Sequence, residues 1–410
     1  MGISRRTFLQ AGVGIAGWYV TAPHSLILGA KGAEYASRIP GKSKILVLVQ
    51  MGGGNDGLNT VVPYADPAYY KARPTIGIQA DKVLPLNQSI GFNPQMSALH
   101  GLFKDGKVAV VTNVGYPNPN RSHFRSIEIW QTAMPDRIGD SGWLGRYLEC
   151  SDCAKNGNIF AAVNVEPTLP KTLQSTVMVP SVSNVFDFTF RTDPQYMQDR
   201  VTQLRTFDDI YSTFTSKRAN ADLLKTAGLE ANKASDYLQK IVRAYKGNVK
   251  YPDGSFGNGM KFISQMVAGG VNARIFTVNL DGFDTHTNQV AQQNRLLKQL
   301  SDGVAAFYKD LEEHGLQDDV VVMAFSEFGR RVAENNGRGT DHGTAAPVYV
   351  IGSKVKGGVY GDAPNLVALD EGDLKYKTDF RTVYATLLDR WLGTDSKEVL
   401  GEKYDYVPFV

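Results

Sequence analysis

The hydrophobic positions of this chain include four predominantly apolar runs, a pattern typical of β-strands that are buried on both faces. The runs are Lys44–Gln50, Val108–Thr112, Ala273–Leu280 and Val320–Phe325. Each is followed at once by a polar segment that contains glycine or proline. Because strands without polar alternation need cover on both sides, the pattern predicts an α/β fold with a central sheet.

Apolar residues at helical spacing separate these runs and predict the covering helices. The predicted helices are Pro94–Phe103, Met260–Ala268, Asn294–His314 and Thr378–Leu392, with a helix through Trp130 after the second strand. A short strand over Val348–Ile351 and a tight hairpin over Gly357–Gly361 are also expected. Residues 199–245 are mainly helical in pattern, so we predict a single domain over residues 41–410 with a helical insertion around residues 195–250.

The polar segments at the strand ends are the candidate site, because ligands of open α/β sheets bind outside the carboxyl ends of the strands. After the first strand, Gly52–Gly54 allow a sharp turn and Asp56 offers a carboxylate to a metal. A glycine turn with an Asx cap is the structural alternative. The spacing of a dinucleotide-binding fingerprint is missing.

After the second strand, Ser122 falls near the predicted start of a helix. The free N–H groups of a helix N-terminus favour an anion, and Arg121 and Arg125 flank this point as a candidate clamp for a tetrahedral oxyanion. Ser122 is either a nucleophile or the helix N-cap, and the sequence leaves both open.

The third and fourth strand ends carry the remaining candidates. Asp284 and His286 share a face if the strand continues, and a carboxylate and an imidazole two residues apart are a common pair of metal ligands. A capping Asp with an exposed His is the alternative. The fourth strand leads to Glu327, Arg330 and the pair Asp341–His342, where a solvated loop capped at Ser326 is the alternative.

Three histidines, His123, His286 and His342, each follow a predicted strand, whereas His100 and His314 lie in predicted helices. Oxygen and imidazole donors from four strand ends are typical of a metal-assisted site. We predict Asp56, Asp284, His286, Glu327, Asp341 and His342 as metal ligands. Mixed donors favour zinc or manganese, with calcium or magnesium as alternatives.

Composition narrows the class of protein. The chain has 410 residues, of which 42% are hydrophobic and 21% charged, so it is globular and not disordered. A net charge of +3 without a basic cluster argues against a nucleic-acid partner. The two cysteines, Cys150 and Cys153, predict a small surface disulfide in an oxidising compartment.

The first residues predict export. Ser4–Gln10 resembles the twin-arginine motif, and Ala11–Ala22 is too short and too weakly apolar to form a stable transmembrane span. We therefore predict a signal peptide over residues 1–33, cleavage near Ala33, the twin-arginine translocase as a partner, and a periplasmic or extracellular location.

Several segments also resemble a known family. GGGNDGLNTVVP, NRSHFRSIEIW, DGFDTHTNQ, SEFGRRVAENNGRGTDHG and TDFRTVYATLLDRWL resemble, in this order, the signature of the DUF1501 family, which is grouped with the alkaline phosphatase and sulfatase-like superfamily. The resemblance implies an α/β/α sandwich with a largely parallel sheet. It also implies the ancestry of a metal-dependent hydrolase of phosphate or sulfate esters.

By this resemblance, Asp56 matches a metal ligand, Ser122 the nucleophile, and Asp284 with His286 a first-metal pair. Phe328 is a departure, because the superfamily usually has an Asp-His pair at this strand end and a phenyl ring cannot bind a metal. The predicted function is hydrolysis of a small-molecule or glycan ester, with Arg121, Arg125 and Arg330 stabilising the equatorial oxygens. The alternatives are a metal-activated water without a serine nucleophile, and a non-catalytic metal- or ligand-binding envelope protein that keeps the fold.

The export signal gives the first prediction. Replacing Arg5 and Arg6 by lysine should block export, because the paired arginines are the feature that the translocase reads. Cell fractionation should find the variant in the cytoplasm and the parent protein in the periplasm. Equal periplasmic amounts of the two proteins would contradict the assignment.

Overall fold

A computed structural model of the chain describes residues 43–152, 154, 158–186, 194–215 and 221–410. The predicted signal peptide and Cys153 lie outside the described residues, so export and the disulfide stay predictions. Among the described residues, no helix is both long enough and apolar enough to cross a membrane.

The fold is built on an eight-stranded sheet with the order β10-β5-β9-β8-β1-β7-β6, in which β11 also pairs with β5. All pairs are parallel except those of β9, which runs antiparallel to β5 and β8. Strands β1, β5, β7 and β8 therefore end at the same edge. The strands are β1 (Ile45–Gly52), β5 (Val108–Gly115), β6 (Ala162–Asn164), β7 (Ile275–Asp281), β8 (Val320–Phe325), β9 (Ala346–Ile351), β10 (Gly358–Tyr360) and β11 (Thr378–Asp379).

A small antiparallel sheet and ten α-helices complete the described part of the chain. The small sheet contains β2 (Val61–Val62), β3 (Leu84–Pro85) and β4 (Gly91–Phe92). The helices are α1 (Pro67–Ala72), α2 (Ser97–Lys104), α3 (His123–Thr132), α4 (Trp143–Cys150), α5 (Arg200–Thr213), α6 (Ala221–Ala244), α7 (Ser255–Ala268), α8 (Gln289–Glu313), α9 (Phe380–Thr386), which continues as a π-helical turn over Leu387–Leu392, and α10 (Ser396–Leu400).

Hydrophobic cores lie on both faces of the sheet, because alternate residues of a strand point to opposite sides. Val47 of β1 belongs to the core that includes Met260 of α7 and Leu297 of α8. Its neighbour Leu48 belongs to the core that includes Trp130 of α3 and Tyr384 of α9. The prediction of an α/β/α sandwich with a largely parallel sheet is thus confirmed.

One predicted element differs from the structure. The segment expected to form a hairpin at Gly357–Gly361 contains β10, a short edge strand parallel to β5. Gly357 lies so close to Gly106 that a Cβ atom would come within 2.5 Å of its backbone. The glycines here allow the chain to approach the turn before β5, and they do not form a hairpin.

A buried ion pair within the segment after β1 is hydrogen-bonded to the segment after β8. A terminal nitrogen of Arg73 lies 2.6 Å from Oδ2 of Asp56, and both side chains are fully buried. Arg73 also donates hydrogen bonds to the carbonyl oxygens of Val332 (2.9 Å) and Arg331 (3.0 Å). Gln289, the first residue of α8, donates a further hydrogen bond of 2.5 Å to Asp56.

This ion pair generates a stability prediction. The Arg73→Met variant should lower the free energy of unfolding by about 3–5 kcal/mol, because it leaves the Asp56 carboxylate buried without a partner charge. Urea denaturation measures the loss. Adding Asp56→Asn to Arg73→Met should recover part of it, since the amide carries no charge, and a double variant less stable than the single one would contradict the interpretation.

Candidate metal centre

Three imidazoles and one carboxylate converge beyond the carboxyl edge of the sheet. Oδ1 of Asp284 lies 3.0 Å from Nε2 of His286, 3.1 Å from Nε2 of His342 and 3.5 Å from Nε2 of His123. The two nitrogens of His286 and His342 are 3.0 Å apart. Ligand atoms of His123, Asp284 and His342 all lie within 4.8 Å of one another.

The four side chains come from three different strand ends. His123 is the first residue of α3, which follows β5. Asp284 and His286 follow β7 two residues apart, and His342 lies in the connection between β8 and β9. Since these strands end at one edge, residues far apart in the sequence meet at one point.

Each imidazole is held from behind by an oxygen atom on its Nδ1. The Nδ1 of His123 lies 2.8 Å from Oε1 of Glu327, and that of His342 lies 2.8 Å from the Arg121 carbonyl oxygen. For His286 the partner is Oδ1 of Asp341 at 3.3 Å. Histidines that bind metals almost always donate their second N–H to a carboxylate, carbonyl or water in this way.

The tautomers that follow from these partners favour a cation at the centre. A carbonyl oxygen can only accept, so Nδ1 of His342 carries the hydrogen, and Nε2 of the neutral ring then presents a lone pair. The ionised Asp341 imposes the same tautomer on His286. Their lone pairs face each other at 3.0 Å, which is unfavourable unless a positive charge lies between them. Nε2 of His123 is likewise buried without a hydrogen-bond partner.

The spacing of the donors suits a small divalent metal. In a tetrahedral zinc site with bonds of about 2.0–2.1 Å, the ligand atoms are about 3.3 Å apart. The distances from Asp284 to the three nitrogens, 3.0, 3.1 and 3.5 Å, bracket that value. The chemistry and the mutual spacing of His123, Asp284 and His342 therefore fit a divalent metal, and His286 adds a donor beside Asp284 and His342.

The local environment favours the metal-binding forms of Asp284 and His342, which are the ionised carboxylate and the neutral ring. Burial alone would raise the pKa of Asp284, but the hydrogen bond from Arg330 and the charge of that guanidinium lower it to about 2. Burial lowers the pKa of His342, which favours its neutral ring. The hydrogen bond to Glu327 instead raises the pKa of His123. A metal would have to displace the proton that this carboxylate favours.

Glu327, predicted as a ligand, supports the centre from behind. Its side chain is fully buried, and Oε1 accepts hydrogen bonds from His123 and from the backbone N–H of Gly53 at 2.9 Å. Asp341 is similarly placed behind His286, where a hydrogen bond from Asn335 and the contact with His286 lower its pKa. Both carboxylates thus contact imidazoles of the cluster on the side away from Asp284.

Asp56 is not brought to the cluster. Its Oδ2 accepts hydrogen bonds from Arg73 and Gln289, and its Oδ1 accepts one of 3.3 Å from the N–H of Asn59. This residue caps a 3₁₀ turn, so the Asx cap that was the alternative at this position is what the structure contains.

The predicted anion clamp is also bound within the protein. Nε of Arg121 donates a hydrogen bond of 2.7 Å to Asp373, and a second ion pair of 3.4 Å joins Arg121 to Glu371. Arg125 pairs with Glu128 at 2.5 Å. Both guanidinium groups therefore already neutralise carboxylates.

Ser122 is exposed and precedes His123 directly. It occupies the N-cap position of α3, but its side chain makes no cap hydrogen bond. The hydroxyl group is thus not used for capping, which was the structural alternative for this residue.

Phe328 forms a wall of the centre. Its ring centroid lies 4.9 Å from that of His123 and 4.8 Å from that of His342, and the side chain is buried. Gly54, with a φ of 72°, lies against this ring, and a Cβ atom there would come within 2.2 Å of it. The glycines after β1 therefore allow close packing of neighbouring loops.

Of the residues in the cluster, the ligand prediction omitted only His123. The sequence did contain a signal, because His123, His286 and His342 each follow a strand. The adjacent Arg121, Ser122 and Arg125 drew the interpretation of that segment towards anion binding.

Comparisons with known proteins give structural likenesses at low identity. The zinc-bound C-terminal periplasmic domain of EcEptC from Escherichia coli is 12% identical, over 78% of this chain and 76% of that one, with a TM-score of 0.38. A protein of the alkaline phosphatase superfamily from Vibrio parahaemolyticus is 11% identical, over 89% and 72%, with a TM-score of 0.34. Phosphonate monoester hydrolase of Agrobacterium radiobacter is 10% identical, over 89% and 79%, with a TM-score of 0.37.

The sequence comparisons are more specific about the family. No curated protein matches the chain. A family model described as "Protein of unknown function (DUF1501)" matches residues 43–404, and the chain belongs to this family, as the resemblance of its motifs predicted.

Proposed function

We propose that this protein is a metal-dependent hydrolase of phosphate or sulfate esters. The observation that carries the proposal is the convergence of three Nε2 atoms and one carboxylate oxygen, with every Nδ1 anchored to an oxygen. Such second contacts orient metal ligands and fix their tautomers. The residues that would hold the metal are His123, Asp284, His286 and His342.

Zinc is the preferred metal and manganese the next, because imidazole with one carboxylate is a borderline donor set. When bound, such a cation would supply Lewis acidity and offset the negative charge that develops on the ester oxygens. The protein keeps access to it, since Asp284 is 48% exposed and His286 is 43% exposed.

The nucleophile in this proposal is the Ser122 hydroxyl. Its oxygen attacks the phosphorus or sulfur atom, and the bond from that atom to the ester oxygen breaks, so that the alcohol leaves with a proton. Water then hydrolyses the seryl ester and restores the hydroxyl group. Support comes from the exposure of Ser122, its free side chain and its position next to His123.

A second function is favoured by a specific observation. Arg121 and Arg125 are both paired with carboxylates, and a phosphoryl or sulfuryl group usually needs free cations around it. A non-catalytic envelope protein that only binds a metal would not need them. In both proposals the protein acts outside the cytoplasm, after export by the translocase that reads Ser4–Gln10.

The centre generates a metal-binding prediction. The purified protein should bind one equivalent of zinc after reconstitution, and Asp284→Ala and His342→Ala should each reduce this to less than half an equivalent. The Glu327→Gln variant should keep the stoichiometry but bind zinc about 10- to 100-fold more weakly, because this residue orients His123 from behind. Elemental analysis and competition with a chelator measure the two quantities.

His100→Ala is the matched control for the metal experiment. His100 contacts the carbonyl oxygen of Pro85 and lies outside the cluster, so its loss should leave the zinc content unchanged. Less than half an equivalent of any divalent metal in the parent protein would refute the centre.

The nucleophile generates a kinetic prediction. Ser122→Ala should abolish the turnover of 4-nitrophenyl phosphate and 4-nitrophenyl sulfate while the metal content stays intact. Its unfolding free energy should change by less than about 1 kcal/mol, the usual value of an N-cap hydrogen bond, because Ser122 makes no such bond.

Three other outcomes would change the interpretation. Activity that survives in Ser122→Ala but is lost in His286→Ala would indicate a metal-activated water in place of the serine. Loss of stability together with retained activity would indicate a cap. A metal-loaded parent protein that hydrolyses no ester of a broad panel would favour the non-catalytic function.

A further inference from the structure

We propose that Arg338 is the residue that binds the anionic group of the substrate at the open side of the centre. This inference rests on the proposed function and names its substrate-binding cation. It concerns the short loop of residues 335–339, which lies between β8 and β9 and precedes Asp341 and His342.

The loop is fixed rigidly to the candidate centre. Oδ1 of Asn335 accepts hydrogen bonds from the N–H groups of Gly337 (2.9 Å) and Gly339 (3.1 Å). Nδ2 of the same residue donates to the His286 carbonyl oxygen and to Oδ1 of Asp341, both at 3.0 Å. The backbone of residues 335–339 is therefore held in a defined position beside the centre.

The backbone of Arg338 is in a conformation that does not favour arginine. Its φ is 56°, in the left-handed region, which costs a residue with a Cβ atom about 1–2 kcal/mol. Five other non-glycine residues adopt positive φ in the described chain, and three of them are asparagines: Asn113, Asn118, Asn288, Ala133 and Glu371. Strained residues cluster at functional sites, so the conformation of Arg338 is compatible with a functional role for this loop.

The loop borders the side of the centre that faces solvent. The side chains on this side, Asp284, His286 and Asp341, are 48%, 43% and 56% exposed. On the far side, His123 is 27% exposed and Glu327 is fully buried. The loop of Arg338 thus borders the more exposed residues of the centre.

Arg338 is an available cation at this border. The residue is exposed, and its guanidinium group pairs with no hydrogen-bond acceptor or carboxylate among the described residues. The other candidates are engaged: Arg121 and Arg125 bind carboxylates, and the buried Arg330 binds Asp284 and backbone carbonyl oxygens.

The chemistry of a guanidinium suits an anionic substrate. A free guanidinium attracts a phosphate or sulfate group and matches two of its oxygens with paired N–H donors. The substrate class that follows is an ester whose acid group carries negative charge, and not a neutral ester.

The test uses the metal-loaded protein and phenylphosphonate, an anion that cannot be hydrolysed at a phosphate ester bond. Calorimetry should give a Kd for Arg338→Gly that is about 10- to 100-fold higher than for the parent protein, the range for losing a hydrogen bond to a charged group. Arg338→Lys should lose less, since it keeps the charge. The metal content and thermal midpoint of Arg338→Gly should be unchanged, because glycine adopts a φ of 56° without strain.

Arg243→Ala is the matched control, since it removes the same charge from the exposed last turn of α6, and its Kd should equal that of the parent. A Kd for Arg338→Gly within twofold of the parent would overturn the inference, as would a metal-loaded parent that binds no phenylphosphonate. Binding that depends on Arg338, without turnover of phenyl phosphate by the parent, would support the inference and refute only the hydrolase.

Discussion

The candidate centre depends on one buried guanidinium group. Arg330 donates hydrogen bonds to the carbonyl oxygens of Gly54 (2.6 Å), Phe283 (3.1 Å) and Thr340 (2.9 Å), and another to Oδ1 of Asp284 at 2.7 Å. These partners lie in the segments that follow β1, β7 and β8. Because a guanidinium has five donors in a fixed plane, it sets the relative positions of three loops at once.

This role explains why so many polar residues near the centre contact one another. Three strand ends that meet at a sheet edge bring together backbone groups that no regular structure satisfies, and buried groups of this kind must find partners. Arg330 satisfies several of them, Arg73 satisfies those of Arg331 and Val332, and Glu327 accepts from Gly53. The imidazoles are left with their Nε2 atoms directed towards the cluster.

The sequence was sufficient to place the strand ends and most of the cluster. The runs that end at Phe325 and Leu280 are mostly apolar, so the segments with Asp284, His286 and His342 could be assigned to one edge. The sequence was not sufficient to distinguish a metal ligand from a residue that only orients a ligand. Glu327 and Asp56 have the same chemistry as Asp284, and their roles depend on partners about 200 or more positions away, such as His123 and Gln289.

The placement of β9 has a consequence for the order of events during synthesis. β1 is synthesised early, but its neighbours β7 and β8 come much later in the chain, and β9, which follows His342, lies between β5 and β8 in the sheet. Such non-local pairing closes long loops and is slow. The donor cluster therefore cannot form before the chain has been synthesised past His342. Any ion bound there must be acquired after that point, in whichever compartment folding ends.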